Sequence, residues 1–98
     1  MTNHIIYLNL EMNNVRVEGA HALSQAIQFN ESLINLNLSS GKRVGNNRNR
    51  ILEEGAFHLA KALSSNNYLM ILNLSGNSIG NEGLIYLIEG IQKQYNHD

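Results

Sequence analysis

The sequence predicts an α/β fold, a short solenoid of three βα repeats with parallel strands on its concave face and helices on its convex face. The first observation is that Leu-Asn-Leu occurs three times, at residues 8–10, 36–38 and 72–74. The second is that an asparagine, the pair Glu-Gly and a helical apolar pattern follow each copy in the same order. A unit of this length buries its apolar face only by stacking on copies of itself. We therefore expect one domain over residues 1–98, with repeats at about 4–32, 33–68 and 69–95.

Each Leu-Asn-Leu segment alternates apolar and polar residues with a period of two, which is typical of a strand with one buried face. The central asparagines, Asn9, Asn37 and Asn73, are therefore predicted on the exposed face. Equivalent residues of adjacent strands lie about 4.8 Å apart, so these amides can bond one another. The second interpretation, which does not exclude the first, is that they form a polar strip of a protein-binding patch flanked by Tyr7 and Ile71.

Apolar residues at spacings of three and four predict a helix after each strand. The three predicted stripes are Ala20, Leu23 and Ile27; Ala56, Leu59 and Leu63; and Leu84, Leu87 and Ile91. A strand, a helix and a second strand joined by a long crossover give parallel strands with the helices outside. Glutamates near the first helical turns are stabilised by the positive end of the helix dipole. These glutamates are Glu18, Glu54 and Glu82.

The second repeat contains an insertion. Leu8 to Leu36 is 28 residues, whereas Leu36 to Leu72 is 36, and aligning the helix starts leaves residues 39–48 as a loop. The basic residues in and beside this loop are Lys42, Arg43, Arg48 and Arg50, and no acid occurs between residues 31 and 53. One interpretation is that the loop is an insertion exposed to solvent, which explains its polar and charged residues. The alternative is a loop whose cations and free amides hold an anion or an acidic patch of a partner.

Catalytic and metal-binding patterns are weak. His21 lies three residues after Glu18, and His58 four after Glu54, so each histidine could pair with a carboxylate on its own helix as half a metal site. The two histidines occupy different repeat positions, and we expect them to lie apart on the helix surface. The chain has no cysteine, and its one aspartate is Asp98, so thiolate chemistry and a Ser-His-Asp triad are not supported. We expect no enzymatic activity, no cofactor and no metal.

The order L-x-x-L-x-L-x-x-N-x-I-x-x-x-G-A-x-x-L-x-x-A-L, followed over residues 5–91, resembles the ribonuclease-inhibitor class of leucine-rich repeat. In that family the consensus asparagine bonds backbone groups of adjoining turns, which implies this role for Asn13, Asn49 and Asn77. Larger members bind proteins on the concave strand face. The resemblance implies that the following residues line that face here: Tyr7, Asn9, Glu11, Asn35, Asn37, Ser39, Ile71, Asn73 and Ser75.

The composition limits the partners and the location that we expect for the protein. The net charge is −1 and 15% of residues are charged, so no global attraction to nucleic acid or to a membrane is implied. Residues 1–10 lack the basic start and apolar core of a secretion signal, and an intracellular, cytoplasmic protein is expected.

We therefore predict a non-catalytic module that binds another protein through the concave face and the basic loop. The alternative is an anion or nucleic-acid contact through Lys42 to Arg50, for which affinity would fall steeply with ionic strength. The resemblance also suggests regulation of a GTPase, as seen in some larger proteins of the family. Three repeats are few for that function.

The two ends of the stack are predicted to be adhesive. The first strand begins by Ile5, and one side of its backbone has no evident partner. Residues 84–88 are five consecutive apolar residues, which in a helix cover more than its circumference, so some must point away from the preceding repeat. We expect either end-to-end self-association or docking of the third helix on a partner or on a further repeat.

Overall fold

Strands and helices alternate along the chain. The computed structural model describes residues 4–41 and 48–95. The elements are β1 (Tyr7–Asn9), α1 (Val17–Phe29), β2 (Asn35–Asn37), α2 (Leu52–Leu63), β3 (Ile71–Asn73) and α3 (Gly80–Tyr95). The predicted α/β repeat architecture is confirmed.

The three strands form one parallel sheet in the order β1-β2-β3. Leu8, Leu36 and Leu72 are in register, as are the asparagines that follow them. Hydrogen bonding continues past the strands: the Ser40 N–H donates to the carbonyl of Ser75 at 2.9 Å. The insertion therefore begins only after the sheet pairing of the second repeat is complete.

The core is deepest in the middle repeat. Leu36 of β2 and Leu38, which follows it, are fully buried in one cluster with apolar residues of the helices, among them Ala20 and Leu59. The equivalent leucines of the outer strands are only partly buried. Each repeat contacts only its neighbours, so a repeat covered on both sides buries the most surface.

Small residues set the spacing between the helices. A Cβ atom built on Gly55 would lie 3.2 Å from the Cβ of Ala20, and one built on Gly83 would lie 3.2 Å from the Cβ of Ala56. A Cβ at Gly90 would meet the backbone carbonyl of Ala60. Helices this close exclude larger side chains at these positions. Among the described residues, no helix is both long enough and apolar enough to cross a membrane.

In the turn after each strand, the first residue in the left-handed region marks the repeat frame. Met12 has φ 55° in the first repeat, and Gly76 has φ 72° at the aligned position of the third. In the second repeat Gly41, with φ 86°, takes this conformation one residue later than the alignment predicts. The insertion therefore leaves the repeat frame at Gly41, and the chain has rejoined it by Asn49, which is buried.

Deleting the eight residues Gly41 to Arg48 is expected to preserve the fold, because Ser39-Ser40-Asn49 then matches Ser75-Gly76-Asn77. The shortened turn requires a positive φ at residue 40, which costs a serine about 1 kcal/mol. Combining the deletion with Ser40→Gly should therefore restore a melting temperature close to that of the parent chain.

Thermal unfolding followed by circular dichroism tests this expectation, with Ser40→Gly alone as the control. If neither shortened variant unfolds cooperatively, the insertion is part of the folded frame and the alignment of Asn49 is wrong.

Candidate functional site

The side chain of Asn49 joins the first repeat to the second. It is 0% exposed, and its Oδ1 accepts hydrogen bonds from the backbone N–H groups of Asn13 at 3.1 Å and Val15 at 2.7 Å. Its Nδ2 donates to the backbone carbonyls of Leu10 and Leu38, at 2.9 and 3.0 Å. One amide thus pairs backbone groups that the turns leave without partners.

Asn77 has the same role one repeat further on. Its Oδ1 accepts from the Ile51 N–H at 3.1 Å, and its Nδ2 donates to the carbonyls of Leu38 at 2.7 Å and Leu74 at 3.1 Å. Asn13 differs, because no strand of the described chain lies beyond β1. Its side chain is exposed and donates within its own turn, to the carbonyl of Glu11.

A second set of amides ties the opposite ends of the repeats, where each helix leads into the next strand. Asn66 is buried, and its Nδ2 donates to the carbonyls of Ile27 at 2.7 Å and Asn30 at 3.1 Å. Gln94 repeats this contact on the carbonyls of Leu63 and Asn66. Sequence reasoning missed this set. The signal was present, since an amide residue follows the last stripe residue of each helix by three places.

The alternation of the strands leaves one set of residues exposed. Tyr7 is 54% exposed and Ile71 is 53% exposed, and both lie in register with Asn35, which is half-buried. Ser39 is an exception to the expected face. It is buried, and its hydroxyl accepts the Gly41 N–H at 3.1 Å, because the chain turns into the insertion there.

The asparagines of the strands form local turns and not the expected amide-to-amide row. The Oδ1 atoms of Asn9, Asn37 and Asn73 each accept the backbone N–H two residues later, at 2.9 Å. Asparagine favours this turn because its side chain reaches its own backbone. Within the described residues the Nδ2 groups of these asparagines donate to no protein acceptor, which leaves donors along the exposed strand face.

Large apolar residues lie exposed at the start of the strands. The Ile34 N–H donates to the carbonyl of Ile6 at 2.9 Å, and the Met70 N–H to that of Ile34 at 2.8 Å, so these residues are neighbours across the sheet. Their exposure ranges from 37% for Ile34 to 78% for Met70. We call Ile6, Tyr7, Ile34, Met70 and Ile71 the strand-start patch. Exposed apolar residues grouped at one end of a sheet in this way are typical of an interaction surface.

Ile6, Ile34 and Met70 were not among the candidate residues predicted from the sequence. Each follows the first apolar residue of its repeat, and this recurrence was the available signal. Periodicity alone assigns such a position to neither face, because it lies just before the strand begins.

The basic residues do not form a separate described site. Lys42 and Arg43 lie outside the described residues. Arg48 is half-buried, and Arg50 is exposed in a shallow cleft that Arg16 shares with two glutamates. These glutamates are Glu18 and Glu54. The negative charges of these two carboxylates would repel an anion from this cleft.

The two histidines lie together, contrary to the sequence expectation. The rings of His21 and His58 are stacked, with centroids 4.1 Å apart and planes 17° apart. Their repeat positions differ by one residue, and two helices packed side by side bring such positions into contact. Glu54 approaches His58 at 4.0 Å, Oε2 to Nε2. Residues 4–41 and 48–95 contain no group of three or more His, Asp or Glu residues placed to hold a metal ion.

Comparison with known protein families gives one match. A family model described as Leucine Rich repeat matches residues 3–24 and 65–87. The matched segments contain β1 with the start of α1, and β3 with the first half of α3. A comparison with curated proteins found no match.

Replacing Asn49 with Ala should lower the free energy of unfolding by about 3 kcal/mol, because it leaves several buried backbone groups unpaired. The matched control is Asn13→Ala, at the aligned position of the first repeat, which should cost under about 0.5 kcal/mol because Asn13 is exposed. Urea unfolding of both variants gives the two values. Equal losses would contradict a bridging role for Asn49.

Proposed function

The chain is a leucine-rich-repeat protein, and from that premise we propose that it is a non-catalytic interaction module of the ribonuclease-inhibitor class that binds another protein through its exposed strand face. Leucine-rich repeats generally mediate protein–protein interaction. The proposal assigns the contact to the strand-start patch and to the asparagines of the strands beside it.

The strand-start patch is the observation that carries this proposal. Its five side chains are large and apolar. Their backbones lie in or next to a hydrogen-bonded sheet, so little backbone conformational entropy is lost on binding. Full burial of one such side chain is worth about 1.5–3 kcal/mol. A few anchors of this kind carry most of the binding energy in typical interfaces, and Tyr7 is of a residue type enriched among them.

Polar groups beside the patch provide specificity. Asn9 and Asn73 are exposed, and their amide donors have no acceptor among the described residues. Glu11 and Ser75 lie at the ends of the same two strand segments and are also exposed. Apolar anchors bordered by hydrogen-bonding groups are the usual composition of a protein interface.

Site-specific photo-crosslinking tests the proposal. A benzophenone amino acid at position 71 should capture a partner from the cell that produces the protein, and the same residue at position 61, which is exposed on α2, is the matched control. Captured partners are then titrated with purified chain. Tyr7→Ala and Met70→Asp should each weaken binding at least about tenfold, which corresponds to about 1.4 kcal/mol.

Both substitutions should change the melting temperature little, because the side chains are largely exposed. Lys61→Ala, on the helix side, should leave binding unchanged. The proposal predicts affinity that depends weakly on salt, since the anchors are uncharged. Crosslinks equal at positions 71 and 61, or binding that Lys61→Ala removes and Met70→Asp leaves intact, would contradict it.

A further inference from the structure

The outer face of α3 departs from the packing rule of the other helices. Inside the stack, Ala20 and Ser24 of α1 face α2, and the aligned residues of α2, Ala56 and Ala60, face α3. The residues aligned with them on α3 are Leu84 and Ile88. The last helix thus presents large side chains where the others present small ones.

These large side chains are exposed and form one surface. Leu84, Ile88 and Ile91 are each 46–51% exposed, and their spacing places them within about 60° around the helix. Together with Met70 and Leu72 they line an open cleft of about 660 Å³. We call these three α3 residues the C-terminal face. It contains no charged residue.

Two neighbours of this face point elsewhere. Tyr86 packs edge-on against Phe57 of α2, with ring centroids 5.2 Å apart, and Leu87 is buried in the core. Ile85 is exposed, and the residues aligned with it, His21 and Phe57, each contact the following helix. The C-terminal face is therefore made by Leu84, Ile88 and Ile91, with Ile85 at its border, and not by Tyr86.

A further repeat cannot stack on α3 with the internal helix spacing. That spacing brings Gly55 so close to Ala20 that an added Cβ would lie 3.2 Å from the alanine Cβ. Leu84 and Ile88 carry several more atoms at the corresponding positions, and these atoms would occupy the space of an incoming helix. The surface that covers the C-terminal face must supply small residues and tolerate a wider helix spacing.

The opposite end of the same chain has these properties. The residues of α2 that face α1 are Gly55, His58 and Ala62, and the residues of α1 aligned with them are Gly19, Ala22 and Ala26. Ala22 and Ala26 are exposed. We call this outer side of α1 the N-terminal face. Its side chains are small and uncharged, and Ala22 occupies the position that the larger His58 has in α2.

The core and the sheet are also open at both ends. Leu8 and Leu10 at one end, and Leu72 and Leu74 at the other, are partly buried, whereas the aligned Leu36 and Leu38 are completely covered. β1 and β3 are the two edges of a parallel sheet. Joining the ends head to tail would keep the strands parallel and would give the outer leucines the environment of the inner ones.

We propose that the C-terminal face binds the N-terminal face of a second copy of this chain. The contact extends the stack at a wider helix spacing, with Leu84 and Ile88 seated against the small residues of α1. Met70 and Ile71 of the strand-start patch line the same cleft as the C-terminal face, so the contact borders that patch. A contact between two different faces leaves one face free at each end of a dimer, so association proceeds beyond the dimer to a ring or an open filament.

Sedimentation velocity of the purified chain, from micromolar to submillimolar concentration, tests the proposal. The parent chain should form species larger than a dimer as concentration rises. Ile88→Glu and Ala26→Glu should each remain monomeric, because each places a charge in one of the two faces. Ile91→Glu and Ala22→Glu are the second variant for each face, used if circular dichroism shows that a first one is misfolded.

Mixing the Ile88→Glu and Ala26→Glu variants tests whether the two faces bind each other head to tail. Each keeps one competent face, so an equimolar mixture of Ile88→Glu and Ala26→Glu should form a dimer and nothing larger. Lys61→Glu, at an exposed position of α2 outside both faces, should associate like the parent chain. A parent chain that stays monomeric, an Ala26→Glu variant that associates like the parent, or a mixture that stays monomeric would each overturn the proposal.

Discussion

The fold depends on pairing backbone groups that the turns between strands and helices leave unpaired. Three-residue strands provide few ladder hydrogen bonds, and the segments that follow them form neither strand nor helix. Asn49 and Asn77 pair these groups in the turns that follow the strands, and Asn66 and Gln94 pair those at the ends of the helices. Because each amide bonds two consecutive repeats, it fixes their relative position as well as satisfying their turns.

This arrangement explains why the second repeat carries an insertion without losing register. The added residues lie between two fixed points. Ser40 pairs with the third repeat in the sheet, and the amide of Asn49 is buried, so the chain returns to the repeat pattern at a defined residue. It also separates the roles of the surfaces. The side chains that hold the repeats together are buried between strand and helix, and those exposed on the strands are free to specify a partner.

The sequence predicted the order and type of all six elements, because Leu-Asn-Leu and the helical stripes repeat in one order. It did not reveal the stacking of His21 on His58 or the outward position of Leu84, since both depend on which sides of neighbouring helices meet. The bonding of Asn9, Asn37 and Asn73 was predicted wrongly, because a side chain that reaches its own backbone competes with its neighbours across the sheet. The strand-start patch lay outside the regular alternation, where a period of two assigns no face.

Hydrogen exchange of individual backbone amides tests the role of the buried asparagines most directly. The N–H groups of Val15 and Ile51 donate to side-chain oxygens of Asn49 and Asn77, whereas that of Leu38 donates to the carbonyl of Asn73 within the sheet. If the amides hold the turns as firmly as the sheet holds the strands, Val15 and Ile51 should exchange as slowly as Leu38. Exchange at the rate of an unstructured peptide at Val15 and Ile51, with Leu38 protected, would contradict the account.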